Sequence, residues 1–327
     1  DSELRTLAAS GQLRDAAVLV SQSKRMLADP RTRRQATEFA CQWLHIYDFN
    51  THDEKSEAHF PEFASLRGDM YEESIQFFTD LMQRDGSVLS LLDADHTFLN
   101  ERLAKHYGIP NVTGPEWRRV DGLKPQSRGG ILSMGTTLSK QSGASRTSPI
   151  LRGNWLSEVV LGEKLPKPPK NVPQLPETVP EGLTERQLIE RHSTDEACIK
   201  CHARIDPFGF ALENFDAIGR FRQKDAGGLA IDTRTTLPDG TKIEGLAGLR
   251  DYLTTVRRDA FLRQFCRKLL GYSLGREIQL SDEPLLTEMQ QRLAKNGYRF
   301  SVAIESIVNS PQFRSIRGRD SLLVESQ

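Results

Sequence analysis

A proline-dense segment at residues 163–182, EKLPKPPKNVPQLPETVPEG, divides a chain of 327 residues that elsewhere shows helical periodicity. Proline lacks a backbone donor and disfavours the α-conformation in the residue before it, so this segment cannot form a continuous helix. On both sides of it, apolar residues recur three and four positions apart, which is typical of amphipathic helices. We therefore predict a mainly α-helical, multidomain protein in which this segment is an extended strap or a linker.

Capping signals predict where several of these helices begin. Thr184 and Gln187 have the spacing of a capping box directly after the proline-dense segment. Ser148 followed by Pro149 is typical of an N-cap and a first helical residue. Residues 96–108, HTFLNERLAKHYG, predict a further amphipathic helix that a glycine ends.

The charge balance excludes some classes of partner. Lysine plus arginine equals aspartate plus glutamate, with 44 of each, so no global charge favours nucleic acid or an anionic membrane. No apolar run approaches the ~20 residues that a membrane-spanning helix needs. The first residues, DSELRTLAAS, have no signal-peptide pattern and resemble the middle of a helical region. Such a start is what a mature or trimmed protein would have, so it is compatible with export and with further sequence upstream.

A cysteine motif carries the chemistry of the sequence. The stretch STDEACIKCHARIDPFGF, residues 193–210, places Cys198, Cys201 and His202 in a C-x-x-C-H array, the signature of c-type haem attachment. Two thiols three residues apart on one helical turn can each add to a haem vinyl group. The adjacent imidazole can then bind the iron as its proximal ligand. The array therefore predicts one covalent haem c.

Two other sites that use cysteine pairs, a zinc site and a redox-active dithiol, agree less well with the sequence. A structural zinc site needs four ligands, but Cys41, Cys266 and His192 do not repeat the spacing of the motif. A redox-active dithiol normally sits in a βαβ context, whereas the surroundings here are helical in pattern. Haem attachment is therefore the favoured interpretation.

The flanks of the motif predict its local structure. Ser193 or Thr194 can cap a short helix that carries the motif, and Pro207 with Gly209 should end that helix. An iron-binding histidine usually donates its other ring N–H to a nearby acceptor. We expect that acceptor to be the backbone carbonyl of Pro207 or one close to it.

Further side chains are candidates for contacts with the haem. Met134, in the loop GGILSMGTT, is the candidate distal iron ligand, although a methionine can equally fill a gap in the core. Arg146 and Arg152 are candidate partners for the haem propionates, because guanidinium groups bind carboxylates well. Other basic residues near the motif could do the same, steer an acidic redox partner or form an ordinary solvated face: Lys164, Lys167, Lys170, Lys200, Arg204, Arg220 and Arg222.

The stretch CHARIDPFGFALENFDAIGRFR resembles the planctomycete-type cytochrome c multidomain family, secreted proteins made of domains of unknown function. The stretches RMLADPRTRRQATEFACQWL, RGGILSMGTTLSKQSGASRTSPILRGNWLSEVVLG and LPDGTKIEGLAGLRDYL resemble other parts of the same proteins. The resemblance implies three consecutive domains, a periplasmic or extracellular location and one covalent haem. It also implies a redox partner protein or further cytochrome domains as partners, within a possible larger complex.

The domain limits follow from these patterns. We predict an N-terminal helical domain at residues 1–125 and a haem-bearing domain, with the strap and the cysteine motif, at residues 126–228. A third domain at residues 229–327 combines C-terminal helices with one small β-hairpin, which two β-branched runs around an Asp-Gly pair indicate. Cys41 and Cys266 depart from the family pattern. In an oxidising compartment they either form a disulfide or remain two buried thiols.

The sequence therefore predicts a c-type cytochrome that transfers electrons, with His202 as the proximal iron ligand and Met134 as the distal one. A haem enzyme, peroxidase-like or oxidative, with an open distal position is the first alternative. Haem as a structural element of a larger assembly is the second. No hydrolase elbow, P-loop or dinucleotide fingerprint is present in the sequence.

Overall fold

The computed structural model describes residues 1–166, 175–176, 179–180, 182–193, 196–225 and 227–315. Most of the predicted strap, together with Lys167, Lys170 and Thr194, lies outside these residues. Across the described ranges the chain forms sixteen α-helices and two small antiparallel sheets of two strands each. The prediction of a mainly α-helical protein is confirmed.

The elements that precede the cysteine motif are α1 (Ser2–Ala9), α2 (Ala16–Ala28), α3 (Thr32–Leu44), α4 (Phe49–His52), α5 (Phe63–Gln83), α6 (Ser90–Asp93), β1 (His96–Leu99), α7 (Glu101–Tyr107), β2 (Arg118–Asp121), α8 (Gly135–Lys140), α9 (Pro149–Trp155) and α10 (Glu185–His192). A π-helical turn, Leu156–Val160, continues α9. The elements from the motif onward are α11 (Glu196–Phe210), β3 (Arg234–Thr236), β4 (Lys242–Glu244), α12 (Gly245–Thr255), α13 (Arg258–Leu274), α14 (Glu283–Lys295), α15 (Phe300–Asn309) and α16 (Pro311–Arg314).

The predicted capping signals are confirmed at two helices. The hydroxyl of Ser148 accepts from the amide of Leu151 at 3.2 Å, and Pro149 is the first residue of α9. The side chains and backbone amides of Thr184 and Gln187 form both hydrogen bonds of a capping box at the start of α10. These local signals hold because each satisfies backbone donors that a helix start leaves without a partner.

The described residues contain the predicted β-hairpin and, beside it, one further two-stranded antiparallel sheet, whose strands β1 and β2 are separated in the chain by α7. The Asp-Gly hairpin forms between β3 and β4 as expected. Residues 96–99, however, are not part of a helix: they form β1 and pair with β2, with Thr97 opposite Val120. The helix begins only after Asn100, whose side chain accepts from the amide of Leu103 at 2.9 Å and so caps α7.

One continuous hydrophobic core joins all three predicted domains. Trp43 of α3 stacks on Phe261 of α13, with 6.2 Å between ring centroids and 28° between ring planes. The indole of Trp43 also donates to the carbonyl of Val159, in the π-helical turn, at 3.0 Å. The domain limits stay a prediction, and the parts they separate share this core.

The two remaining cysteines are free thiols. Cys41 and Cys266 are both buried. The sulfur of Cys41 lies 3.2 Å from the hydroxyl of Tyr71, and the two groups share a hydrogen bond. The disulfide that an oxidising compartment would permit is not formed, so the alternative of two buried thiols holds.

Two glycines set how the cysteine motif sits on the rest of the fold. Helices α9 and α11 cross where Gly153 faces the carbonyl oxygen of Ile205 and Gly209 faces the carbonyl oxygen of Pro149. A Cβ atom at either glycine would come far inside the 3.0 Å that real Cβ atoms keep from other atoms. Absence of a side chain at these positions therefore allows the two helix backbones to touch.

Candidate functional site

The three motif residues lie on one face of the N-terminal half of α11. Cys198 is followed at i+3 by Cys201 and at i+4 by His202, and side chains at these spacings are neighbours on a helix. All three are half-buried and both thiols are free. Ile199, between the two cysteines, exposes 49% of its surface. The face thus combines two accessible thiols, an imidazole and apolar surface.

The imidazole of His202 is anchored by a carboxylate rather than by a backbone carbonyl. Its Nδ1 lies 3.0 Å and 2.9 Å from the two carboxylate oxygens of Asp206, one helical turn further along α11. Because a carboxylate accepts, Nδ1–H is the donor, and Nε2 is the ring nitrogen that would bind a metal. The expected acceptor, the Pro207 carbonyl, instead accepts from the amide of Ala211 at 3.3 Å.

The predicted end of the motif helix is also wrong. Helix α11 continues through Pro207 and Gly209 to Phe210. Tertiary packing outweighs the local preference, since Gly209 fits against the backbone of Pro149. The continuation is what places Asp206 one turn after His202.

Two side chains of α10, His192 and Glu190, act on the pair formed by His202 and Asp206. The ring of His192, the last residue of α10, meets the ring of His202 edge-to-face, with 5.6 Å between centroids. Asp206 is 4% exposed. Burial raises the pKa of its carboxyl group, and the negative charge of Glu190 adds to this rise. The hydrogen bond from His202 and the charges of both histidines oppose the rise, because they favour the ionised form. The two helices together enclose the carboxylate.

Arg152 belongs to the interior of the protein. It is 1% exposed, and its guanidinium donates to the carbonyl oxygens of Leu212, Phe215 and Asp216 at 2.6–2.9 Å. The structure therefore does not bring Arg152 to the open face of the motif; it holds the turn that follows α11.

Arg146 lies at the opposite end of α10 from His192. Its guanidinium contacts the carboxylate of Glu185 and the carbonyl of Pro176, each at 3.2 Å. A role for Arg146 with a propionate stays a prediction.

A buried pair of carboxylates sits between these arginines. The hydroxyl of Thr147 lies 2.6 Å from a Glu185 oxygen and 2.9 Å from a Glu213 oxygen. A hydroxyl has one proton to donate, so it cannot satisfy two ionised carboxylates at once. Burial raises the pKa of Glu213 to about 7, the nearby Arg152 opposes this rise, and the charge of Glu185 adds to it. Burial and the charge of Glu185 therefore outweigh the contacts from Arg152 and Arg222, and Glu213 holds its proton to a higher pH than an exposed glutamate does.

This pair predicts how stability depends on pH. The folded-state pKa of Glu213 lies above its ordinary value of 4.5, so between these values the folded chain binds more protons than the unfolded chain. The free energy of unfolding should therefore fall as the pH rises from about 5 to 7, by on the order of 3 kcal/mol at most. In Glu213→Gln, which cannot titrate, urea midpoints measured across this range should fall less steeply. In the exposed control Glu116→Gln, the slope should match that of the native chain; a Glu213→Gln slope equal to both would contradict the assignment.

The side chain of Met134 contacts a different part of the fold from the side chains of the cysteine motif. It is 1% exposed and is the N-cap residue of α8. Its sulfur accepts from the hydroxyl of Ser74, in α5, at 3.5 Å. The side-chain contacts of His202, in contrast, are with α10 and within α11. The structure therefore does not bring these two predicted iron ligands together.

No site for a bare metal ion is preformed in the part of the chain that the structure describes. There, no three histidine, cysteine, aspartate or glutamate side chains are grouped so that they could hold a metal ion.

A cavity of about 800 Å³ lies between α3, the turn after α9 and α13, and no residue of the motif lines it. Among the described helices, none is long and apolar enough to cross a membrane.

The residues of the motif fit covalent haem better than they fit zinc. The two thiols are free and accessible on one helical face, and the histidine has one nitrogen anchored and the other left for a metal. Cys198 and Cys201 would hold the haem through thioether bonds, and His202 would bind the iron. Exposed Ile199 adds apolar surface beside them.

Three family models match the chain, each described as a protein of unknown function. They are DUF1592 at residues 1–109, DUF1588 at residues 128–225 and DUF1585 at residues 239–313. These are domains of the planctomycete cytochrome c-type multidomain family, and the chain belongs to that family. The cysteine motif lies within the second match. No curated protein and no solved structure matches the chain.

Sequence reasoning missed Asp206, although a signal for it was present. A carboxylate four residues after a histidine faces it when both are on one helix. Pro207 predicts a helix end at Asp206, and a residue outside the helix need not face His202. The four-residue spacing from His202 to Asp206 indicates a contact only when the helix is known to continue through Pro207.

Proposed function

We propose that this chain is a c-type cytochrome that carries one covalent haem and transfers electrons in the periplasm or outside the cell. The observation that supports this most directly is the geometry of α11. Two accessible thiols and an imidazole share one face, and the imidazole nitrogen that would face the iron is not the one bound to Asp206. Membership of a cytochrome c-type family agrees with it.

The chain's own groups account for the attachment. Cys198 and Cys201 would each hold the haem by addition of the thiol across one vinyl group, sulfur to one carbon and hydrogen to the other, with no leaving group and no net oxidation. His202 would bind the iron through Nε2, and Asp206 holds the orientation of the ring through Nδ1. When bound, the haem supplies a one-electron couple whose potential depends on these ligands.

The test is whether haem stays on the denatured polypeptide. The chain is produced in a bacterial periplasm together with a c-type haem maturation system, and separately without that system. We expect haem to remain with the protein after extraction with acidic organic solvent, at one haem per chain by the pyridine haemochrome spectrum, only when the maturation system is present. Complete extraction of haem from both preparations would overturn the proposal.

The position of Met134 favours a second candidate function, a haem enzyme with an open distal site. With its sulfur in the core against Ser74, Met134 is not placed to close the distal side. An open iron can bind peroxide or oxygen. Carbon monoxide added to the reduced protein separates the two functions: no spectral change indicates an electron carrier with two strong ligands, and a prompt shift indicates an open iron.

Met134→Leu tests the distal assignment directly. We expect an unchanged iron spectrum, because the thioether already has a partner in the core, and a loss of stability below about 1.5 kcal/mol for a volume-conserving change. The measurement is the near-infrared absorption of the oxidised protein with a urea unfolding curve. Loss of a methionine–iron charge-transfer band would instead restore Met134 as the distal ligand.

A further inference from the structure

We propose that Asp206 is a positioning residue that makes His202 a strongly electron-donating iron ligand and so lowers the reduction potential of the haem. The inference rests on the proposed function, since it concerns the proximal side of that haem. It deepens that function, because the potential determines which redox partners the protein can reduce.

The contact between the two side chains is close and double. The Nδ1 atom of His202 lies 3.0 Å from one carboxylate oxygen of Asp206 and 2.9 Å from the other. Hydrogen bonds in which the acceptor is ionised are roughly twice as strong as those between neutral groups. A carboxylate therefore withdraws the Nδ1 proton further than the backbone carbonyl that sequence reasoning predicted.

Burial strengthens the effect. The side chain of Asp206 is 6% exposed and that of His202 is 11% exposed, so little water screens the charge. A buried carboxylate is costly unless a partner compensates it, and the Nδ1–H of His202 is the donor that lies within reach. The imidazole consequently gains partial negative charge, which raises electron density at Nε2. Ferric iron has one more positive charge than ferrous iron and is stabilised more by such a ligand.

The fold holds both partners in place. The helix continues through Pro207, which keeps Asp206 one turn after His202. Ile205, directly before Asp206, is locked against Gly153 of α9. On the other side, the His192 ring packs edge-on against the His202 ring and limits its rotation. The hydrogen bond is therefore built into the interface of three helices.

The experiment compares the haem reduction potential of the holoprotein with that of Asp206→Asn. Asparagine keeps the size and an acceptor oxygen but removes the charge. We expect the ratio of oxidised to reduced haem, at a fixed ambient potential, to fall about tenfold, which is a positive shift of ~59 mV for one electron. In Asp206→Glu, which restores a carboxylate, most of this shift should be lost.

Glu190→Gln is the matched control. Glu190 is an exposed acid on α10, two residues before His192; its carboxylate is bound by Arg186 at 2.8 Å, and its charge acts on Asp206 through space. This variant removes one negative charge from the same neighbourhood and leaves the hydrogen bond to His202 intact. We expect a shift several-fold smaller than that of Asp206→Asn. Equal shifts in the two variants, or no shift in Asp206→Asn, would overturn the proposal.

Failure of the inference can be told apart from failure of the proposed function. If the native chain binds no covalent haem, the proposed function fails before any potential is measured. The hydrogen bond can then still be read in the haem-free chain, by ¹⁵N NMR of labelled histidines. We expect His202 to be protonated at Nδ1, and protonation at Nε2 alone would contradict the geometry. If Asp206→Asn fails to load haem, the same spectrum of the native chain tests the His202–Asp206 hydrogen bond on which the inference depends.

Discussion

Cys198→Ala/Cys201→Ala is expected to abolish covalent haem attachment completely, because no other group on the motif face can form a thioether. The purified double variant should lose all haem to acidic organic extraction and show no haem stain on a denaturing gel. Each single variant should keep one thioether, and its pyridine haemochrome band should shift to longer wavelength because one vinyl group stays unsaturated. The measurement is the haemochrome spectrum of extracted, denatured protein.

The chain offers its own control for this experiment. Cys41 and Cys266 are free thiols as well, but both are buried in helices α3 and α13. Burial raises the pKa of Cys266 to about 12, so this thiol is unreactive. Cys41→Ala/Cys266→Ala should therefore retain a full haem complement. Equal haem loss in both double variants would indicate a folding defect and contradict the specific role of the motif.

Signals that depend on neighbouring residues were predicted correctly from the sequence. The start of α9 at Pro149, the capping box at Thr184 and the Asp-Gly hairpin each depend on a few backbone groups and adjacent side chains. The C-x-x-C-H motif belongs to the same class, because its spacing alone determines that its side chains share a helical face. Such features need no knowledge of the tertiary structure.

Features decided by distant parts of the chain were not predictable in the same way. Helix α11 passes through Pro207 because α9 packs against it. Arg152 has a guanidinium group that could bind a propionate, yet this group donates to three backbone carbonyl oxygens in the turn after residue 210. The sequence predicts helix at β1, because the strand that pairs with it, β2, lies more than a dozen residues later in the chain. In each case the deciding contact has no signature in the local sequence.

Gly153→Ala is expected to destabilise the fold strongly. The new methyl group would overlap the backbone carbonyl of Ile205, and a backbone atom cannot move aside as a flexible side chain can. Overpacking typically costs 1–3 kcal/mol and sometimes more, so we expect a loss of about 3 kcal/mol or more even after alanine's better helix propensity is included. The measurement is the urea midpoint of unfolding followed by circular dichroism.

Gly68→Ala is the matched control, since Gly68 lies inside α5 and has no neighbouring atom within 4 Å of an added Cβ. There the same substitution should raise stability by up to about 1 kcal/mol, because alanine is the better helix former. If the two variants unfold at the same urea concentration, the close crossing of α9 and α11 is not a constraint on the fold.

The Gly153 variant also tests whether the site depends on this crossing. Ile205 is the residue before Asp206, so a methyl group that pushes α11 away from α9 moves the acceptor of the His202 hydrogen bond. We expect the fraction of Gly153→Ala that folds to show a higher haem potential than the native protein, in the same direction as Asp206→Asn. A folded Gly153→Ala protein with an unchanged potential would mean that α11 holds Asp206 and His202 together without support from α9.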